Sequence, residues 1–128
     1  MARITIAIPT HNRPRFLIRA VDSVLRQTYS DFELLILDNA SEDRRWRRRQ
    51  AFRDPRVRYI SHRRNIGVVA NWNAAVATSS CDAISIFHDD DVMSPRFIER
   101  IVEALSEWPS AGMVCAAARR VDCLGANL

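Results

Sequence analysis

Three short runs in this chain are apolar on both sides for most of their length and end abruptly on clustered polar residues. Residues 4–9 read Ile-Thr-Ile-Ala-Ile-Pro, residues 32–37 Phe-Glu-Leu-Leu-Ile-Leu, and residues 83–87 Ala-Ile-Ser-Ile-Phe. A strand with one face in water alternates apolar and polar residues; a strand covered on both faces does not, and covered strands belong to parallel sheets. Residues 57–60 fit a shorter strand, and residues 113–117 are a last candidate.

The segments between these runs carry helical spacing. Pro14 suits a first helical turn, after which Leu17, Val21, Val24 and Leu25 recur on one side. Asn65-Ile66-Gly67 marks a turn before a helix over residues 68–77, with Trp72 and Val76 on one side. Ser94-Pro95 opens another, whose buried stripe is Phe97, Ile98, Ile101, Val102 and Leu105. A basic helix through Arg53 is also expected, capped by Ser41 or Asp43 and stopped by Asp54-Pro55. Strands alternating with helices predict an α/β fold: a mostly parallel, Rossmann-like sheet with helices on both faces, as one domain over residues 1–128.

In such sheets right-handed crossovers bring the loops after the strands to one edge, and ligands bind there, where strand order reverses. The residues to watch are therefore Thr10-His11-Asn12, Asp38-Asn39-Ala40-Ser41 and His88-Asp89-Asp90-Asp91. Three adjacent carboxylates tied to the end of a buried strand repel one another, and a cation relieves that cost. Oxygen ligands suit Mg2+ or Mn2+, which bind through one or two carboxylates together with substrate phosphates. With glycine only at positions 67, 112 and 125, neither the P-loop nor the dinucleotide fingerprint is present. Metal and side chains would thus have to hold a diphosphate. Asp38 and Asn39 could meet a nucleobase edge or ribose hydroxyls; Asp38 and Ser41 could equally serve as helix caps.

The net charge is +4, and all 19 basic residues are Arg, a bias that a GC-rich genome produces without functional cause. Arg44, Arg45, Arg47, Arg48, Arg49 and Arg53 flank Trp46 in a segment that reads first as a solvated face. Its second reading is peripheral contact with an anionic membrane surface. Nucleic acid is not expected as a partner, because the acidic run and Asp38 oppose phosphate and no recognition motif accompanies the arginines. Cys81, Cys115 and Cys123 have neither zinc nor dithiol spacing; Cys81 and Cys115 are expected to be buried. The first residues lack the apolar run of a secretory signal, and no stretch approaches the ~20 apolar residues of a membrane span. A cytoplasmic protein is expected.

The motifs in order resemble glycosyltransferase family 2, the GT-A-fold enzymes. The resemblance rests on residues 4–13 (ITIAIPTHNR), 23–29 (SVLRQTY), 32–41 (FELLILDNAS), 64–67 (RNIG), 87–91 (FHDDD) and Pro95. It implies that Thr10 and Asn12 line a nucleotide pocket and that Asp38 contacts the base, usually uracil, with Asn39 nearby. It also implies that Arg64 and Asn65 flank the nucleotide and diphosphate. The acidic run takes the place of the family's DxD-type motif, with Asp89 on the ribose or sugar and Asp90 or Asp91 on Mn2+ or Mg2+; Asp89 is a third candidate ligand. His88 stands where the family often has the first Asp, and a hydrogen-bonded histidine is expected there ahead of a metal ligand.

The implied reaction moves a sugar from a nucleotide diphosphate donor to a saccharide or lipid-linked acceptor hydroxyl, with inversion. The family's general base comes after the DxD-type motif, so it is expected after Leu128, and none of the catalytic residues within the chain itself. The chain is accordingly expected to be a fragment that stops before the acceptor-binding half and binds donor better than it turns it over. A metal-dependent nucleotidyltransferase and a non-catalytic nucleotide-binding module are the alternatives. The first normally carries a glycine-rich loop where this chain has Pro9-Thr10-His11-Asn12.

Overall fold

The computed structural model describes residues 3–128, which form four strands and three α-helices. The strands are β1 (Ile4–Thr10), β2 (Phe32–Asp38), β3 (Val57–Ser61) and β4 (Ala83–Ile86), and all pair in parallel in the order β3-β2-β1-β4. The apolar runs become β1, β2 and β4 because alternate residues find cover on opposite sides. Ile4, Ile6 and Ile8 of β1, with Phe32, Leu34 and Ile36 of β2, join one core with α1 (Pro14–Leu25) and α3 (Phe97–Glu107). Ala7, Leu35 and Leu37 point the other way, onto Ala75 of α2 (Val68–Thr78). Helices therefore cover both faces, as expected.

The α2 face is built differently from the α1 face. Trp72 and Val76, with Val68 and Val69, lie on the exposed side of α2, while polar Asn71 is buried. Asn71 donates from Nδ2 to the Leu37 carbonyl at 3.2 Å and meets His62 Nε2 at 2.9 Å, so a hydrogen-bonded amide fastens the helix where an apolar residue could not. A second polar network holds its far end. Glu33 Oε2 accepts from Thr5 Oγ1 at 2.8 Å and from the Ser80 amide at 3.2 Å, while Oε1 takes Arg58 at 2.8 Å.

Three expectations are corrected. The basic segment forms two single-turn 3-10 helices, Arg45–Arg48 and Gln50–Arg53, in place of one α-helix. Arg49 is extended between them, and clustered arginines at helical spacing repel one another while Trp46 is drawn inward against Phe52 and Tyr59. Residues 113–117 form no strand: they do not pair with the outer edge of β4, and Met113 is 78% exposed. For the same reason Cys115 is exposed; Cys81 is half-buried, and the three cysteines are free.

Candidate functional site

The strand order reverses between β1 and β4, and the loops leaving β1, β2 and β4 meet at that edge. They enclose a cavity of about 340 Å³ whose walls include Thr10, His11, Asn39, Trp72, His88 and Asp89. The parallel register makes this convergence unavoidable. Thr10 pairs with Asp38 across the β1–β2 ladder, and β4 ends beside Ala7, from which its chain runs on through a Phe87 amide bond to the Ala7 carbonyl at 2.8 Å.

The acidic run sits in three environments. Asp89 is 7% exposed and anchored, with Oδ2 accepting from the Thr10 hydroxyl at 2.8 Å. Arg13 Nη1 lies 3.4 Å from Asp89 Oδ1 and 3.1 Å from Asp90 Oδ2, so one guanidinium nitrogen serves both carboxylates. Burial pushes the Asp89 carboxyl above its ordinary range; Thr10 and Arg13 pull it down and Asp90 adds to the rise. Burial, more than repulsion within the run, is thus the main cost of that charge. Asp90 and Asp91 are exposed. Among the described residues no three His, Cys, Asp or Glu side chains converge into a closed metal shell. His88 packs edge-to-face on Trp72, ring centroids 5.3 Å apart, in place of the expected hydrogen bond.

Asp38 does not face the cavity in this structure. It is fully buried; Oδ1 accepts from the Ser41 amide at 2.9 Å, and Oδ2 from the Tyr59 hydroxyl at 2.7 Å with Arg44 Nε 3.3 Å away. Burial, and then the bond to Asp38, hold the Tyr59 phenol above its ordinary range, so it remains a donor. The carboxylate closes the loop after β2, and the backbone turns there through Ala40 at φ 62°.

The asparagines mostly join loops. Asn12, at φ 54°, donates its amide to Ser41 Oγ and accepts the Glu42 amide on Oδ1, both at 2.9 Å, stapling the β1 loop to the β2 loop. Asn39 lines the cavity and also ties the β2 loop to the turn before α2. Its Oδ1 accepts the Ile66 amide at 2.8 Å and its Nδ2 donates to Asn65 Oδ1 at 2.9 Å. Asn65 reaches His11 at 3.4 Å, and Arg64 is exposed near this turn. Arg13, Asn71 and Trp72 line the cavity without having been singled out for it by motif or periodicity, whereas His11, in the loop after β1, was expected there. Arg13 could have been suspected from its place directly after the β1 loop.

Comparison with known proteins agrees with this geometry. The family model "Glycosyl transferase family 2" matches residues 5–126. A protein of Escherichia coli K12 named as a colanic acid biosynthesis glycosyl transferase, WcaA, is 40% identical over 97 residues, covering 73% of this chain and 34% of its own length. The chondroitin synthase of Escherichia coli is 31% identical over 93% of this chain and 18% of its own length. The chain therefore spans about a third or less of these relatives. Among solved structures, Staphylococcus aureus TarS (residues 1–349) superimposes with a TM-score of 0.77 at 15% identity, covering 97% of this chain and 43% of that one. The mannosyltransferase PcManGT of Pyrobaculum calidifontis, in complex with GDP-Man and Mn2+, does so with 0.71 at 21% identity, covering 93% and 36%. At such identities the likeness is one of fold.

Proposed function

This chain belongs to glycosyl transferase family 2, and we propose that residues 1–128 are the nucleotide-sugar-binding part of an enzyme that moves a sugar from a UDP-sugar to an acceptor hydroxyl. The observation that carries this reading is the convergence of three strand-end loops on one cavity with Asp89 anchored in its wall. Trp72 presents a partly exposed ring with His88 edge-on beside it, and Thr10, Asn39 and Asn71 bring polar atoms to the cavity wall. UDP is the preferred donor because TarS is described in complex with UDP-GlcNAc; GDP, held by PcManGT, is second.

The donor set fits a divalent cation. Arg13 already places a positive charge against Asp89 and Asp90, and the exposed Asp90 and Asp91 carboxylates can supply oxygen ligands to Mn2+ or Mg2+. When bound, such an ion stabilises charge on a leaving diphosphate. Among the described residues Asp89 is the carboxylate lining the cavity, and Thr10 and Arg13 occupy it. That suits direct displacement with inversion better than a covalent intermediate. The chain spans about a third or less of these relatives' length, and the family resemblance implies that the general base and acceptor site lie outside residues 1–128. A base contact from Asp38 requires Tyr59 or Arg44 to give way.

We further propose a saccharide or lipid-linked acceptor and a cytoplasmic setting. An open groove of about 850 Å³ lined by Arg44, Arg45, Arg47, Arg48 and Arg53, with Glu42 and Asp43 beside them and Asp43 paired to Arg45, has a net positive lining that supports peripheral contact with an anionic membrane. Among the described residues no helix is long and apolar enough to cross a membrane. Calorimetric titration with UDP, GDP and their sugar conjugates, with Mn2+ and in EDTA, tests the reading. Binding of UDP that requires Mn2+ is expected. Metal-independent binding, or none, would sink it.

A further inference from the structure

Arg13 combines a fixed backbone with a loose side chain. The Asn12 amide and side chain are pinned by the β2 loop, and Pro14 begins α1, so the Arg13 Cα position is set from both sides. Its side chain is half-exposed and lies along the cavity wall. It reaches Asp89 and Asp90 through one nitrogen, at 3.4 and 3.1 Å. Charge-assisted pairs of good geometry close to about 2.7–2.9 Å and are often bidentate for Arg. This contact is long, single-pronged and open to water. It neutralises two adjacent carboxylates without locking onto either.

We infer that Arg13 is the built-in counter-cation of the acidic run: it shields Asp89 and Asp90 while the site is empty, gives them up when a divalent ion binds, and then turns to the donor's diphosphate oxygens. The inference rests on the metal-dependent reading above. A guanidinium is suited to both tasks, since it pairs with carboxylate and phosphate alike. A bidentate, buried bridge would have opposed the exchange; a distant arginine would have left the carboxylates repelling one another. Arg13 is thus a positioning residue in the empty site and a diphosphate ligand in the filled one.

The test is Mn2+ binding by electron paramagnetic resonance to the nucleotide-free chain, followed by UDP titration at saturating Mn2+. In R13A, Mn2+ should bind about two- to fivefold more tightly, the range set by a half-exposed ion pair that no longer competes. UDP should then bind more weakly by a similar factor, and R13K should lie near the wild type in both. A merely structural arginine would weaken both affinities together. Unchanged or weaker Mn2+ binding in R13A overturns the counter-cation role, and unchanged UDP affinity overturns the transfer to diphosphate. R13Q, equally neutral but closer in length, carries the same test should R13A not fold. If the wild type binds no Mn2+, the metal reading fails first and this inference falls with it.

Discussion

Replacing Tyr59 with Phe removes one hydrogen-bond donor from the most buried carboxyl near the site. Asp38 is fully buried, and Oδ2 takes the Tyr59 hydroxyl at 2.7 Å with Arg44 at 3.3 Å as the weaker neighbour. A hydrogen bond to a charged group contributes about 1.5–3 kcal/mol. Arg44 remains able to serve the orphaned oxygen, so Y59F should cost about 1.5–2 kcal/mol, near the low end of that range. For a chain of this size each kcal/mol moves the melting point by about 3–5 °C, giving a fall of about 5–10 °C. Urea denaturation followed by circular dichroism should show a lower midpoint with an unchanged slope. D38N provides the bracket. It leaves an amide facing Arg44 and disrupts the network at its charge, so it should cost at least about 3 kcal/mol. If Y59F melts within about 0.5 kcal/mol of the wild type, Asp38 is not held as described and the closed β2 loop is wrong.

Other substitutions separate stability from binding. W72A removes a partly exposed ring, so it should change stability by only about 0.5 kcal/mol yet weaken UDP binding severalfold; thermal melts beside calorimetry distinguish the two. Ala at Gly67 meets no atom within 4 Å, but φ is 87°, in the glycine region. That substitution should cost about 1–3 kcal/mol from backbone strain alone, read from urea midpoints. Burial raises the Glu33 carboxyl, but bonds from Thr5 and Ser80 and the charge of Arg58 outweigh it and hold the folded value below the ordinary glutamate range. A lowered carboxyl stabilises above its unfolded value and loses that contribution as pH falls toward the folded one. Melting curves from pH 6 to about 3 should therefore slope less in E33Q than in the wild type; matching slopes would remove Glu33 from the acid response.

The sheet was legible because its buried strands lack a polar face, which a surface strand or helix would show. The site was legible through one rule, that polar residues after parallel strands gather at one edge, and Thr10, Asn39 and Asp89 do gather there. What escaped depended on partners far along the chain. The partner of Asp38 is Tyr59, 21 residues later on a neighbouring strand, and nothing in residues 38–41 announces that the carboxylate is spent on it. Asn71 is buried and Trp72 is not, an inversion of hydrophobic periodicity that follows from the bonds of Asn71 to the Leu37 carbonyl and to His62. Residues 113–117 have strand composition but no ladder neighbour, and composition cannot supply one. The arginine segment shows the converse, with helical spacing undone by its own charge.

The central claim is that the carboxylates after β4 hold a cation and a nucleotide diphosphate together at the edge of the sheet. Crystals soaked with UDP and Mn2+, measured for manganese anomalous scattering, test it most directly. One strong peak is expected within coordination distance of Asp90 or Asp91 and of diphosphate oxygens, with the uridine lying in the cavity beside Trp72. A peak elsewhere, or ordered UDP in the cavity with no manganese beside it, would show that these carboxylates do not hold the ion.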